Sequence, residues 1–415
     1  MEATGCPRFD YDPLDPGHGQ DPWGRLAEAR REQPVFFMPS LGMWCVTRYD
    51  DVRAVLHDSA TFSNASAIEL ANPIPDDVEV PPHCVFPELR SIGNIDAPDH
   101  TRQRKLIQPA FTPKRVRRWT DEIRAIADEL IDGFAAAGEV DLVAAYADPI
   151  PIRTIAAILG FPPESAAKFR HWTDSFFDLL GVPGMPRERA AELWRGLVES
   201  DDYVRELIEQ RRREPRDDLV SDLVGSVADD GTPALTDDEI TANVHAFVVA
   251  GTDTTAILIA QVVRLLLEDR ARWAEVVADP GLIDAAIEET LRFRGPLRGN
   301  MRVATRDCEV GGVAIPQGAK LYWMPASANL DEAHYEAPER FDLHRRAGSD
   351  HLAFGVGTHF CVGAPLARLE GQVALERLVA RLPNLRLPAQ EVEYLPNIIT
   401  PAPAALRLEW DAPGA

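Results

Sequence analysis

Apolar residues recur at three- and four-residue steps through the middle and end of the chain. Between residues 114 and 137, Val116, Trp119, Ile123, Ile126, Ala127, Leu130, Ile131 and Phe134 share one helical face. Segments 186–213 and 216–228 carry the same period behind arginine-rich polar faces. Thr236-Asp-Asp-Glu239 has the form of a capping box before a long apolar run, so it opens a helix reaching about Glu268. Shorter helices are expected over 270–278, over 281–293 and just after Gly363. Strand-like pieces are brief: 35–38, 43–47, 301–305, 308–315 and 319–324, with Gly311-Gly312 as a turn, and the last 30 residues read as β-hairpins. Residues 64–95 are proline-rich and aperiodic, which predicts a long loop with one short helix. The predicted fold class is mainly α with a minor β region.

A length of 415 residues suggests two domains by size alone. The 34 prolines, however, punctuate many short segments and leave no linker, so 1–415 reads as a single domain with 1–20 as a loosely ordered extension. The net charge of −23 opposes a nucleic-acid or anionic-membrane partner. Five cysteines, odd in number and without a CxxC pair, argue against a disulfide framework or a structural zinc site and fit a reducing cytoplasm. The N-terminus has no apolar core of a signal peptide. The most apolar helix, 244–267, is interrupted by His245, Asp253, Gln261 and Arg264, so no membrane span is expected.

Cys361 stands on a glycine-rich loop at a helix entrance. Three readings compete: a buried cysteine acting as a small hydrophobe, a nucleophile with His359 as base, and a metal thiolate. A sulfur at a helix N-terminus meets unpaired backbone N–H groups and the positive dipole end, which favour the ionised form a soft metal ligand needs.

The pattern Phe354, Gly355, Gly357, His359, Cys361 and Gly363 (F-G-x-G-x-H-x-C-x-G) resembles the haem-binding loop of the cytochromes P-450. Three upstream motifs agree with it in order and spacing. Ala250-Gly-Thr-Asp-Thr-Thr255 places poor helix formers inside a buried helix, a broken local rule of the kind that marks function. It resembles the family's acid–alcohol pair, with Asp253 as the acid and Thr254 as the alcohol. Adjacent helix residues point about 100° apart. Thr254 is therefore expected to face bound dioxygen and Asp253 to face away and relay protons, while Ala250 and Gly251 leave room. Glu289 and Arg292 match the family's E-x-x-R helix, which implies a buried structural cluster with Arg340. His100 and Arg104, with Arg302 and His359, resemble a clamp for the haem propionates, where cations are needed in an apolar pocket. Asn329-Leu330-Asp331 departs from the many relatives with arginine at the middle position, which touches a local surface contact.

The resemblance spans roughly residues 21–409 and implies a triangular prism of about a dozen helices around haem b. It implies a monooxygenase that inserts one atom of dioxygen into a small apolar organic substrate by hydroxylation, epoxidation or demethylation. Carried over by position, the substrate pocket includes Phe86, Phe176, Val248, Val249, Leu297, Ile398 and Ile399. Arg298 is read as the partner of a protein carboxylate or a propionate, ahead of the alternative that it meets a substrate carboxylate. No flavin, nicotinamide or ferredoxin-type motif is present. Electrons are therefore expected from NAD(P)H through a separate ferredoxin and ferredoxin reductase, delivered to a monomer. Seven Lys/Arg and no acid between Thr101 and Trp119 read equally as a solvated face that includes the propionate ligand Arg104 and as a docking patch for an acidic ferredoxin. The alternatives are a peroxide-driven, coupling or nitrating use of the same fold, a non-enzymatic haem sensor, and a haem-free cysteine hydrolase. The intact Asp253–Thr254 pair favours dioxygen over peroxide.

Overall fold

The computed structural model describes residues 7–65, 67–182, 184–228, 231–345 and 350–411. Helices dominate, and one of them organises the rest. Asp237–Leu267 is capped as its sequence predicts: the Glu239 N–H donates to the Thr236 hydroxyl at 3.2 Å, and the Thr236 N–H donates to the Glu239 carboxylate at 3.0 Å. Asp237, Asp238 and Glu239 add negative charge at the positive end of its dipole. This helix has the length and mean hydropathy (1.7) of a membrane span, yet 72% of its most apolar window is buried by the rest of the protein. It packs against Pro149–Leu159, Ile283–Arg294 and Ala364–Arg381, and its Leu258–Val263 stretch lies in the main core. The weak formers at 250–255 do not break it. The Thr252 and Thr254 hydroxyls fold back onto the carbonyls of Val248 (3.0 Å) and Ala250 (2.7 Å), which satisfies them inside the helix.

Nine short strands are present among the described residues: β1 (Val35–Met38), β2 (Met43–Val46), β3 (Phe62–Ser63), β4 (Glu139–Asp141), β5 (Asn300–Ala304), β6 (Cys308–Val310), β7 (Val313–Ile315), β8 (Lys320–Trp323) and β9 (Arg407–Glu409). The main sheet has the order β1-β2-β8-β5-β3, with β2 and β8 parallel and the other pairs antiparallel. Its register sets Asn300 opposite Trp323 and Arg302 opposite Leu321. Side chains alternate along a strand, so Asn300, Arg302 and Trp323 share one face.

The structure departs from the sequence pattern in four places. The 114–137 helix starts as separate turns, Pro113–Val116 and Arg117–Trp119, before Thr120–Phe134. The 216–228 helix contracts to Leu219–Val224, capped by the Asp218 carboxylate on the Ser221 N–H at 2.7 Å. The C-terminal hairpins form only in part: β9 pairs with the distant β4, and hairpin-like pairing is limited to the antiparallel bridges Arg386–Glu409 and Tyr394–Pro403. Prolines at 383, 388, 396, 401 and 403 remove the donors a ladder needs. Residues 7–20 are not a loose extension, because Tyr11 is buried and Arg298 holds the carbonyls of Pro13 and Gly19. The first six residues lie outside the described ones.

Candidate active site

The loop before Ala364–Arg381 is shaped by two glycines in the left-handed region, Gly355 (φ +65°) and Gly357 (φ +75°). A Cβ on Gly357 would stand 2.9 Å from the Leu56 carbonyl, so the loop needs a residue without one. The Cys361 N–H donates to Phe354 O at 2.9 Å. The sulfur accepts the N–H groups of Gly363 and Ala364, and the Arg104 and Arg368 guanidiniums add positive charge. Burial nevertheless outweighs them and raises the thiol above its ordinary pKa. Without a bound cation, the amides around this sulfur do not offset that cost. A cation bound to it would.

Cys361 is exposed toward a cavity of about 1750 Å³ counting its mouth. Val249, Ala250, Gly251, Thr254, Thr255 and Leu258 of the long helix line it, with Phe354, Gly355, His359, Cys361 and Gly363 of the loop. Cations gather in its wall without an ion-pair partner among the described residues. Arg302 is buried, donates only to Met301 O at 3.0 Å, and is pushed down to about 10 by burial. Arg104 donates to Phe360 O at 2.7 Å and is also lowered by burial. The His100 and His359 rings stand 4.0 Å apart. Both nitrogens of His100 and Nδ1 of His359 are buried without a partner among the described residues. Burial lowers the pKa of His100, and burial with the neighbouring His100 and Arg302 holds His359 down at about 3. A soft sulfur, two uncompensated guanidiniums and orphaned imidazoles around one large apolar cavity match a haem carrying two carboxylates.

The family model described as Cytochrome P450 matches residues 144–276 and 274–396. The chain is 40% identical over 395 residues to nocardicin C N-oxygenase of Nocardia uniformis subsp. tsuyamanensis, covering 92% of this chain and 94% of that one. It is 38% identical over 367 residues to erythromycin C-12 hydroxylase of Saccharopolyspora erythraea, covering 87% of each. The solved structure of cytochrome P450 CREJ in complex with (4-ethylphenyl) dihydrogen phosphate superposes with a TM-score of 0.89 at 30% identity, over 97% of this chain and 99% of that one. The chain belongs to the cytochrome P450 family. It is a P450 monooxygenase, an oxidoreductase of a haem-dependent family.

In this P450, Asp253 and Thr254 separate as adjacent helix positions must. Thr254 lines the cavity. Asp253 turns away to Arg170, with Nη1 3.4 Å from its Oδ1. Arg170 also pairs with Asp148 (3.1 Å) and Asp174 (3.3 Å). Burial is the main cause that pushes the Asp253 carboxyl up to about 7, and one cation shared among three acids does not offset it.

The sequence reading missed Glu370. It is buried on the helix after Cys361, lines the cavity, and reaches the hydroxyls of Thr154 and Thr255. Burial pushes it up to about 8. Its only signal in sequence is an acid on an otherwise apolar helix face.

Phe176, Val249, Leu297 and Ile399 line the cavity as expected. Phe86, Val248 and Ile398 do not and stand behind its wall. Phe86 packs on His245 at 4.5 Å, Val248 belongs to the main core, and the Ile398 carbonyl accepts the Tyr322 hydroxyl. Ile68, Ile92, Phe177, Leu180 and Phe247 take their places.

Arg292 and Glu289 form the buried pair, with Nη2 to Oε1 at 2.7 Å and Nε to Oε2 at 2.8 Å. Arg340 is not its third member: its side chain is 69% exposed and faces Asp342 at 3.5 Å. Only the Arg340 carbonyl joins, accepting Arg292 at 3.1 Å. Arg345 supplies the charge instead, with Nε 3.1 Å from Glu289 and 11% of its side chain exposed.

Proposed function

We propose that this P450 holds haem b through Cys361 and hydroxylates, epoxidises or demethylates a small apolar substrate, with electrons from a separate ferredoxin. Arg104, Arg302, His100 and His359 would hold the propionates, and Ala250, Gly251, Phe354, Gly355 and Gly363 would flank the ring. When bound, the haem supplies reductive cleavage of dioxygen and transfer of one oxygen atom to a C–H bond or double bond. Thr254 lines the cavity and keeps its hydroxyl fixed on Ala250 O. Asp253 stores a proton near neutral pH and exchanges it through the Arg170 cluster, which extends toward the surface at Asp174. Phe176, Phe177, Leu180, Leu297 and Ile399 exclude water and select an apolar molecule. We read 1–415 as one cytoplasmic, monomeric unit without a membrane or nucleic-acid partner, and NAD(P)H as the distant electron source through a ferredoxin reductase.

The observation carrying this reading is that Cys361 and Thr254 line the same apolar cavity beside Arg104 and Arg302, neither of which has a carboxylate partner among the described residues. Two measurements test it. Cys361→His should abolish the red-shifted band of the reduced carbon monoxide complex. Thr254→Ala should retain substrate binding while product per electron pair falls roughly 10-fold or more, with the electrons appearing as peroxide. Unchanged coupling would remove Thr254 from proton delivery. Faster turnover with peroxide than with ferredoxin and NAD(P)H would favour the peroxide-driven alternative.

A further inference from the structure

Buried arginines in this protein are mostly matched by acids. Five are buried among the described residues, and Arg30, Arg211 and Arg292 hold Glu332, Asp218 and Glu289. Arg302 and Arg298 have no carboxylate within 4 Å among the described residues. Arg302 faces the haem cavity. Arg298 does not line that cavity, although its neighbour Leu297 does. It lines a second cleft of about 440 Å³, counting its mouth, together with Arg294, Gln20, Trp23, Gln261 and Tyr394. The property that marks the propionate clamp therefore recurs at a place the monooxygenase chemistry does not use.

Arg298 donates only to the carbonyls of Gly19 at 2.6 Å and Pro13 at 3.4 Å, and a guanidinium has five N–H donors. Arg294 donates to Phe293 O at 2.7 Å and lies against the rings of Trp23 (3.7 Å) and Phe293 (3.9 Å). Burial and the nearby Arg264 push it down to about 10. The acids acting on it are Glu268, already held by Arg264, and the exposed Asp21, and neither pairs with it within 4 Å among the described residues. Two partly desolvated cations facing one cleft leave uncompensated charge. Guanidinium forks match two oxygens of a carboxylate or phosphate.

We propose that this cleft, between the N-terminal segment, the end of helix Ile283–Arg294 and the Tyr394–Pro403 bridge, binds a small oxyanion, a carboxylate or phosphate, between Arg294 and Arg298. It backs onto the substrate wall, because the Arg298 N–H donates to Ile399 O at 2.8 Å, and Leu297 and Ile399 line that wall.

The test uses the holoenzyme, in which the cavity's own cations are covered by haem. Thermal unfolding is followed in acetate, phosphate and chloride at fixed ionic strength. Acetate or phosphate should raise the midpoint saturably and more than chloride does, and the two separate the carboxylate from the phosphate form. Arg294→Gln and Arg298→Gln should each weaken the response about 10-fold or more, the loss expected for one charged hydrogen bond. Crystals of the unaltered protein soaked in selenate give an answer free of folding defects: an anomalous peak in the cleft supports the site. Water alone in the cleft, or a midpoint shift undiminished in both variants, overturns the proposal.

Discussion

Asp253 is an acid whose proton is available at the pH where the enzyme would work. Its carboxyl sits at about 7, raised first by burial and then by Asp174, Asp148 and Asp178 around the single Arg170. The protonated form predominates below that pH and is lost above it. Proton-limited turnover should therefore fall as pH rises through about 7. Asp253→Asn should slow it by about 10²-fold and flatten the profile, as steady-state rates from pH 6 to 8.5 would show. Glu370 obeys the same logic as a stability term. Its folded pKa of about 8 lies above the ordinary 4.5, so the native state retains a proton the unfolded chain gives up between those values. Stability should fall as pH rises across that window, by at most about 1.4 kcal/mol per unit. Glu370→Gln, neutral throughout, should remove the dependence in urea titrations at pH 5 and 8. Cys361, Asp253 and Thr254 were legible in sequence because fixed spacing and broken helix rules expose them. Glu370 was not, because a lone acid in a helix is usually a solvated one, and only packing shows Thr154 and Thr255 around it.

At the level of elements, sequence order located the long helix, β1, β2, β5 and β8, because caps and alternation are local. It did not locate the partner of the Glu289–Arg292 pair, because Arg340 and Arg345 are five residues apart on an irregular segment with no period to choose between them. Arg345 accounts for the geometry by donating to the carbonyls of Glu336 (2.8 Å), Ala337 (3.1 Å) and Arg340 (3.0 Å) as well as to Glu289. Asn329-Leu330-Asp331, expected at a surface contact, is buried here, and the Asn329 carbonyl accepts Arg292 at 2.9 Å. Removing Glu289 strands Arg292 in the interior, so Glu289→Ala should cost about 3–5 kcal/mol and deplete bound haem. Arg345→Ala should cost about 1–3 kcal/mol, and Arg340→Ala under ~0.5 kcal/mol, as for other exposed pairs. Chemical denaturation with haem content read in parallel separates the three.

Across the whole molecule, the acidic background makes any free positive patch matter for partner approach. The sequence from Thr101 to Trp119 reads as uniformly basic, but folding neutralises much of it. Arg115 pairs with Asp222 at 2.9 Å, Arg118 with Asp217 at 3.1 Å, and Arg102 with Glu239. These acids come from a segment about 100 residues or more downstream, which a local charge count cannot see. Lys105, Lys114 and Arg117 are exposed and have no acid within 4 Å among the described residues. They flank the cysteine side, since helix Asp99–Ile107 reaches Phe360 through Arg104, and Pro113–Val116 packs on helix Ala364–Arg381. An acidic ferredoxin steered to this face would feel the three free charges and little of the paired ones. Charge reversal at Lys105, Lys114 and Arg117 should slow the bimolecular reduction about 10-fold at low salt, and the difference should fade once the Debye length drops to about 3 Å at 1 M. Reversal at Arg115 and Arg118 should change reduction less and stability more, because it strands Asp217 and Asp222. Stopped-flow reduction at two ionic strengths distinguishes the two sets. Equal slowing by both would mean that net charge alone, and no defined patch, guides the donor.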